Sequence, residues 1–167
     1  MKFISFNHDN SEKFGIIENN LITDLTGKID GALSLKELIK IKKIKDAKEY
    51  AKSNPGSIKP DEIKYSPLIP NPGKIICVGL NYSEHVKETN RTVEENPVIF
   101  HRFPESQTAH MQAIQRPTVS ESLDFEGEMA VVMDEGGKHI KPEDALKHIV
   151  GFSCYNESTI REWQRHT

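Results

Sequence analysis

Two glutamates spaced two residues apart, Glu126 and Glu128, stand at the head of the apolar run Met129-Ala130-Val131-Val132-Met133. In a strand, residues i and i+2 share a face, so these carboxylates project side by side, with Phe125, Gly127 and Met129 opposite. Like charges that close resist ionising together unless something positive lies between them. A divalent cation meets that need, and hard oxygen ligands suit magnesium, manganese or calcium. The plain alternative is a solvated strand face with both glutamates in water. A third acid, Glu157, follows the apolar run from Ile149 to Tyr155. A ligand at a strand end would stand there, and so would a solvated terminal acid. His85 and Glu88 form a second constellation. On a helix, i and i+3 lie on one face, so Glu88 can accept from one imidazole nitrogen and leave the other as a base. A surface His–Glu pair is the alternative reading.

Positioning these groups requires strands with short helices between them. Residues 2–25 read as short antiparallel strands, with Asn19-Asn20 as a tight turn, since asparagine tolerates the positive φ that hairpins require. Ser34-Leu35-Lys36-Glu37 is a capping-box pattern opening a helix with Leu35, Leu38 and Ile39 on one side. A second helix spans about Ile44 to Ser53 and stops at Asn54-Pro55-Gly56. Pro60, Pro67, Pro70 and Pro72 punctuate an extended stretch, and residues 55–73 are the linker candidate. Beyond it, Lys74 to Gly79 has the length and β-branching of a buried strand. A short helix follows from Ser83 to Thr89, and Pro97 to His101 is again a strand. Residues 103–122 show no period and read as a long loop, a class that is usually functional or disordered. The glutamate strand comes next, then a turn at Asp134-Glu135-Gly136-Gly137. Pro142-Glu143-Asp144 suits a helix N-terminus, and Ile149 to Tyr155 is strand. Strands with short helices and no regular βαβ alternation predict an α+β, β-rich fold.

The chain has 167 residues and a net charge of −3, enough for one sizeable core or for a small domain joined to a medium one. Mixed charge near neutrality favours neither nucleic acid nor an anionic membrane as partner. The lysine-rich stretch from Lys36 to Lys52 is interleaved with apolar residues and reads as the solvated face of helices. No segment approaches the roughly eighteen continuous apolar residues of a membrane span, and MKFISFNHDN carries no signal-peptide core. Cys77 and Cys154 sit in apolar runs and are expected as buried free thiols in a reducing cytoplasm.

The pieces also match a known pattern. From Lys74 to the end, the chain resembles the fumarylacetoacetate hydrolase family. The stretch from Lys74 through Asn81-Tyr82 to His85-Val86-Lys87-Glu88 is similar to the family's strand, Asn-Tyr turn and His-x-x-Glu helix. Asp124-Phe125-Glu126-Gly127-Glu128-Met129 is similar to its acidic metal strand. Asp144-Ala145-Leu146, Gly151-Phe152, Asn156-Glu157 and Arg161-Glu162-Trp163-Gln164 resemble its following helix, strand and Asn-Asp-x-x-x-Arg-Asp-x-Gln segment. This order and spacing is far more specific than any one motif.

The resemblance implies a small N-terminal α+β accessory domain, residues 1–70, followed in residues 71–167 by the first part of a mixed β-sandwich roll. Members continue well past the position of Thr167, so the chain corresponds to the N-terminal part of a longer enzyme. Glu126, Glu128 and Glu157 would hold Mg2+ or Mn2+, with Ca2+ also compatible. His85, oriented by Glu88, would be the general base, while Tyr82, Arg161 and Gln164 would lie near the substrate. The implied chemistry is isomerisation, decarboxylation or C–C hydrolysis of a small 2-oxo or β-diketo acid through a metal-stabilised enolate. The setting is catabolism of aromatic compounds, in a cytoplasmic homodimer. Three departures stand out. Glu157 replaces the pattern's aspartate, Glu162 replaces another, and Ala109 and Met111 stand where glycines are expected, so the loop is expected to be remodelled. Two other readings are a catalytically inactive fragment serving as a binding or assembly module, and a plain calcium-binding β-domain.

Overall fold

The computed structural model describes residues 1–88 and 95–164, and the side chains of His85 and Glu88 lie outside that description. The chain begins with three antiparallel strands, β1 (Lys2–His8), β2 (Ser11–Glu18) and β3 (Leu21–Asp24). Asn19 and Asn20 take φ of 50° and 61° at the second hairpin, and Asp9 and Asn10 do the same at the first. Gly15 permits the close pairing of β2 with β3, since a Cβ there would stand 2.2 Å from the Thr23 carbonyl oxygen. The sheet covers its inner face with two helices, α1 (Leu35–Lys40) and α2 (Ile44–Ser53). Ser34 caps α1 by accepting from the Glu37 N–H at 3.2 Å. Glu37 reaches back one residue further than a capping box, to the Leu33 N–H at 2.7 Å. Phe14, Ile16, Leu25, Leu35, Leu38, Ile39, Ala47 and Ala51 then form one buried cluster.

The proline-spaced stretch is more than a linker. Lys64–Ser66 forms β4, paired antiparallel with β1 as the sheet's edge, so the order is β3-β2-β1-β4. Tyr65 opposite Phe6 extends the β1 face, a pairing that composition alone did not signal.

Three two-stranded ladders follow. β5 (Ile75–Gly79) pairs with β6 (Val98–Arg102), and α3 (Ser83–Glu88) lies between them in sequence. β5 is not the buried strand its composition suggests. Nothing packs over one of its faces among the described residues, and Ile76 and Val78 there are exposed, whereas Ile75, Cys77 and Gly79 are half-buried. The expected helix end at Thr89 lies outside the described residues. The stretch from 103 to 122 is irregular after a short 3-10 turn at Pro104–Ser106. It is anchored over β4 by Gln112 Nε2 donating to the Tyr65 carbonyl at 3.0 Å and by an edge-to-face contact of His110 with Tyr65. Met111 takes φ of 61° in this loop, the conformation a glycine would adopt without cost.

The glutamate strand is broken in two. β7 (Leu123–Asp124) and β8 (Gly127–Met133) are separated by Phe125 and Glu126, and they join different ladders. β9 (Ile149–Asn156) pairs with β8, whereas β10 (Thr159–Ile160) pairs with β7. Pro142–His148 winds as a 3-10 helix, with its first N–H groups bonded at i−3. α4 (Arg161–Gln164) is the last described element. The α+β composition expected from sequence is present. Both cysteines are free, but Cys154 is exposed rather than buried because it faces outward from β9. Among the described residues no helix is long and apolar enough to cross a membrane.

Candidate functional site

At the corner where the β8/β9 ladder meets the β7/β10 ladder, the predicted carboxylates occupy neighbouring backbone positions. Gly127 pairs with Asn156 and Glu128 with Tyr155. One residue beyond that ladder, the Glu157 N–H donates to the Glu126 carbonyl at 2.9 Å, and the Glu126 N–H donates to Asn156 Oδ1 at 3.0 Å. Glu126 and Glu157, distant in sequence, are therefore bonded neighbours. The break at Phe125 leaves the strand alternation intact. Glu126 and Glu128 are half-buried, while Phe125, Gly127 and Met129 face solvent.

Two arginines pair with carboxylates of this corner. Glu157 is buried, 5 % exposed, and a carboxylate at that depth needs a charged partner. Arg102, the last residue of β6, supplies it through both Nε and Nη2 to Glu157 Oε1. The same Nη2 donates to the Ser158 carbonyl at 3.0 Å and to Thr159 Oγ1 at 3.1 Å, and the Thr159 hydroxyl donates to Glu157 Oε2 at 3.3 Å. Arg161 at the start of α4 holds Asp124 Oδ2 through Nε at 2.9 Å and approaches Glu126 Oε1 at 2.8 Å through Nη1. That second contact is a charge contact off the line of a hydrogen bond, and Glu126 Oε1 is a buried oxygen without one. Burial works against the Arg161 charge. Asp124 and Glu126 outweigh it and raise the guanidinium's affinity for its proton, while Arg161 draws the Asp124 carboxyl below its usual range.

The neighbouring groups show how the charges converge. Burial pushes the Cys77 thiol up, Glu157 pushes it further, Arg102 opposes, and Glu128 and Glu126 add to the rise. All three carboxylates thus act on one thiol of β5. The nearby Glu128 carboxylate holds the Tyr82 hydroxyl above its usual pKa, so the turn before α3 lies beside β8. Gln164 Oε1 accepts from Arg161 Nη1 at 3.1 Å, so Gln164 meets the corner through Arg161. His85 and Glu88 both belong to α3, but their side chains lie outside the described residues.

Three carboxylates and no sulfur or imidazole among them suit a hard divalent ion in kind. Glu126 Oε1 is buried and meets Arg161 Nη1 as a charge contact. In the present arrangement, however, no three His, Cys, Asp or Glu side chains among the described residues close on a common point. Arginine nitrogens stand where a cation's charge would act. The residue that sequence reasoning passed over is Arg102. Its signal was the alternation of β6, where Phe100 and Arg102 turn inward and His101 outward. An inward-facing charge on an apolar strand needs a partner.

Comparison with known proteins places the chain in a family. The sequence pattern of fumarylacetoacetate (FAA) hydrolase, C-terminal, matches residues 74–167. The mitochondrial oxaloacetate tautomerase of Xenopus laevis is 37% identical over 121 residues, covering 72% of this chain and 38% of its own. A human mitochondrial oxaloacetate tautomerase is 38% identical over 103 residues, covering 62% of this chain and 33% of its own. The chain thus spans between about a third and two fifths of the length of these curated relatives. Among solved structures, the fumarylacetoacetate hydrolase of Exiguobacterium antarcticum superposes with a TM-score of 0.81 at 29% identity, covering 99% of this chain and 58% of its own. The maleylpyruvate hydrolase of Sphingobium sp. SYK-6, solved with manganese(II) and pyruvate, has a TM-score of 0.76 at 18% identity. It covers 96% of this chain and 60% of its own, a likeness of fold.

Proposed function

The chain belongs to the fumarylacetoacetate hydrolase family, and from that premise we propose that it carries the divalent-metal corner of an enzyme acting on a small 2-oxo or β-diketo acid. Glu126, Glu128 and Glu157 are the ligands. The observation that carries this reading is the backbone bond from Glu157 to Glu126, which unites acids from two separated segments at one corner. A bound Mg2+ or Mn2+ polarises a carbonyl and offsets negative charge developing beside it. The tautomerase and hydrolase names of the relatives favour proton movement or C–C cleavage next to the 2-oxo group.

The chain's own residues then have distinct tasks. Arg161 braces Asp124 and Glu126 and draws the Asp124 carboxyl below its usual range. Tyr82 steers the Glu128 carboxylate. His85, one helical turn beyond Tyr82, takes or returns the proton, with Glu88 at i+3 fixing its ring. Gln164 and Arg161 flank the substrate's polar end. A second reading, a catalytically silent assembly module, draws support from the exposed apolar side chains of β8 and β9.

Manganese titration followed by electron paramagnetic resonance separates the two. Binding at micromolar to sub-millimolar concentration, weakened at least about tenfold by Glu126→Gln, is expected, since one charged ligand of three is lost. A folded chain that leaves Mn2+ free at millimolar concentration would decide for the assembly module.

A further inference from the structure

We propose that Arg102 occupies the cation seat of Glu157, so that a divalent ion enters this corner only by competing with the Arg102 guanidinium for that carboxylate. The inference rests on the reading of Glu126, Glu128 and Glu157 as ligands, and it adds a residue that sets how tightly they hold an ion.

The three carboxylates are not equally available. Glu128 lies beside the neutral Tyr82 hydroxyl, whose pKa it raises. Glu126 shares Arg161 with Asp124 and keeps one buried oxygen free of hydrogen bonds. Glu157 is already satisfied at both oxygens, by Arg102 at Oε1 and by the Thr159 hydroxyl at Oε2. Arg102 is also fixed independently of the carboxylate, through the Ser158 carbonyl and Thr159 Oγ1. The guanidinium therefore stays at the corner as a built-in positive charge. An ion of charge +2 brought within a few ångströms of it is repelled, and the repulsion is strong because Glu157 and Thr159 exclude water there. Binding requires the Arg102–Glu157 contact to open or lengthen. That contact also joins the β5/β6 ladder to the β9–β10 connection, so ion entry and the attachment of that ladder are coupled. Arg102 is thus a positioning residue that sets affinity through Glu157.

The test compares Mn2+ binding to the wild-type chain, Arg102→Gln and Arg102→Lys at one ionic strength, by electron paramagnetic resonance, with circular dichroism melts as the check on folding. Removing the charge is expected to tighten binding at least about tenfold. Arg102→Lys keeps the charge and is expected within about threefold of wild type. In the wild-type chain, the Arg102 Nε–H resonance is expected to shift and lose exchange protection as Mg2+ saturates, a readout that does not depend on any variant folding. Folded Arg102→Gln that binds Mn2+ no more tightly than wild type overturns the proposal, as does an Arg102 resonance unchanged at Mg2+ saturation. In both of those cases the ion still binds, so the ligand assignment stands. Absence of binding in every folded form overturns the ligand assignment and this inference together.

Discussion

The sheet β3-β2-β1-β4 and the β8/β9 ladder are both antiparallel, and the β1/β2 pair matches β8/β9 in strand length, yet they treat their apolar side chains in opposite ways. In the first, Phe6, Phe14, Ile16, Ile22 and Leu25 are fully buried, and α1 adds Leu38. In the second, Val132 and Val150 pack against that core from one side, while Met129, Val131, Met133 and Phe152 on the other side are exposed, Phe152 at 60 %. The first region has two amphipathic helices to lay over its sheet. In the second, the intervening Pro142–His148 segment winds as a 3-10 helix with no buried residue. The region that carries the carboxylate corner is therefore the one held less by packing and more by charge. Arg102–Glu157 and Arg161–Asp124 tie together the segments that meet at the corner.

The sharpest way to break that comparison is to truncate one side chain in each region. Leu38→Ala removes a fully buried side chain and is expected to cost about 3–5 kcal/mol of stability, read from denaturant unfolding. A cost below about 1 kcal/mol would show that the helices do not close the first core. Asp24 gives an intermediate effect within the first sheet. Burial pushes its carboxyl up, but the Thr26 N–H at 2.9 Å, the Thr26 hydroxyl and the Lys13 ammonium at 3.0 Å more than offset that and lower it from 3.8. A carboxyl lowered in the folded state contributes stability that is present above its ordinary pKa and lost as pH falls through the folded value. Asp24→Asn is expected to cost up to about 1 kcal/mol at neutral pH and to flatten the acid side of the stability profile. An unchanged acid limb would remove Asp24 from the account. The smallest effect belongs to the second region. Phe152→Ser is expected to change stability by no more than about 0.5 kcal/mol, while reducing fluorescence of a dye that binds apolar surface. A loss as large as that of Leu38→Ala would mean the outer face of β9 is covered after all.

Much of the local structure was legible in the residues. The Asn19-Asn20 turn, the Ser34 cap, the span of α2 and the strand from Ile149 follow from backbone preferences within a few residues. The motifs of the family were equally plain, because their residue types and order do not depend on knowing the fold. The burial of β5, the sheet pairing of β4 and the continuity of the glutamate strand were misjudged for a common reason. Each depends on which distant strand lies alongside, and neither composition nor periodicity carries that information.

The chain's own residues determined that acids would be grouped in pairs and at strand ends. Only the folded arrangement decided who meets whom. The Glu157 N–H finds the Glu126 carbonyl because a two-residue break at Phe125 and Glu126 sends the strand into a second ladder. Arg102 reaches Glu157 because β6 ends at the same corner. Charge is a property of a residue, but its neutralisation is a property of a place, and places are made by contacts between segments far apart in the chain.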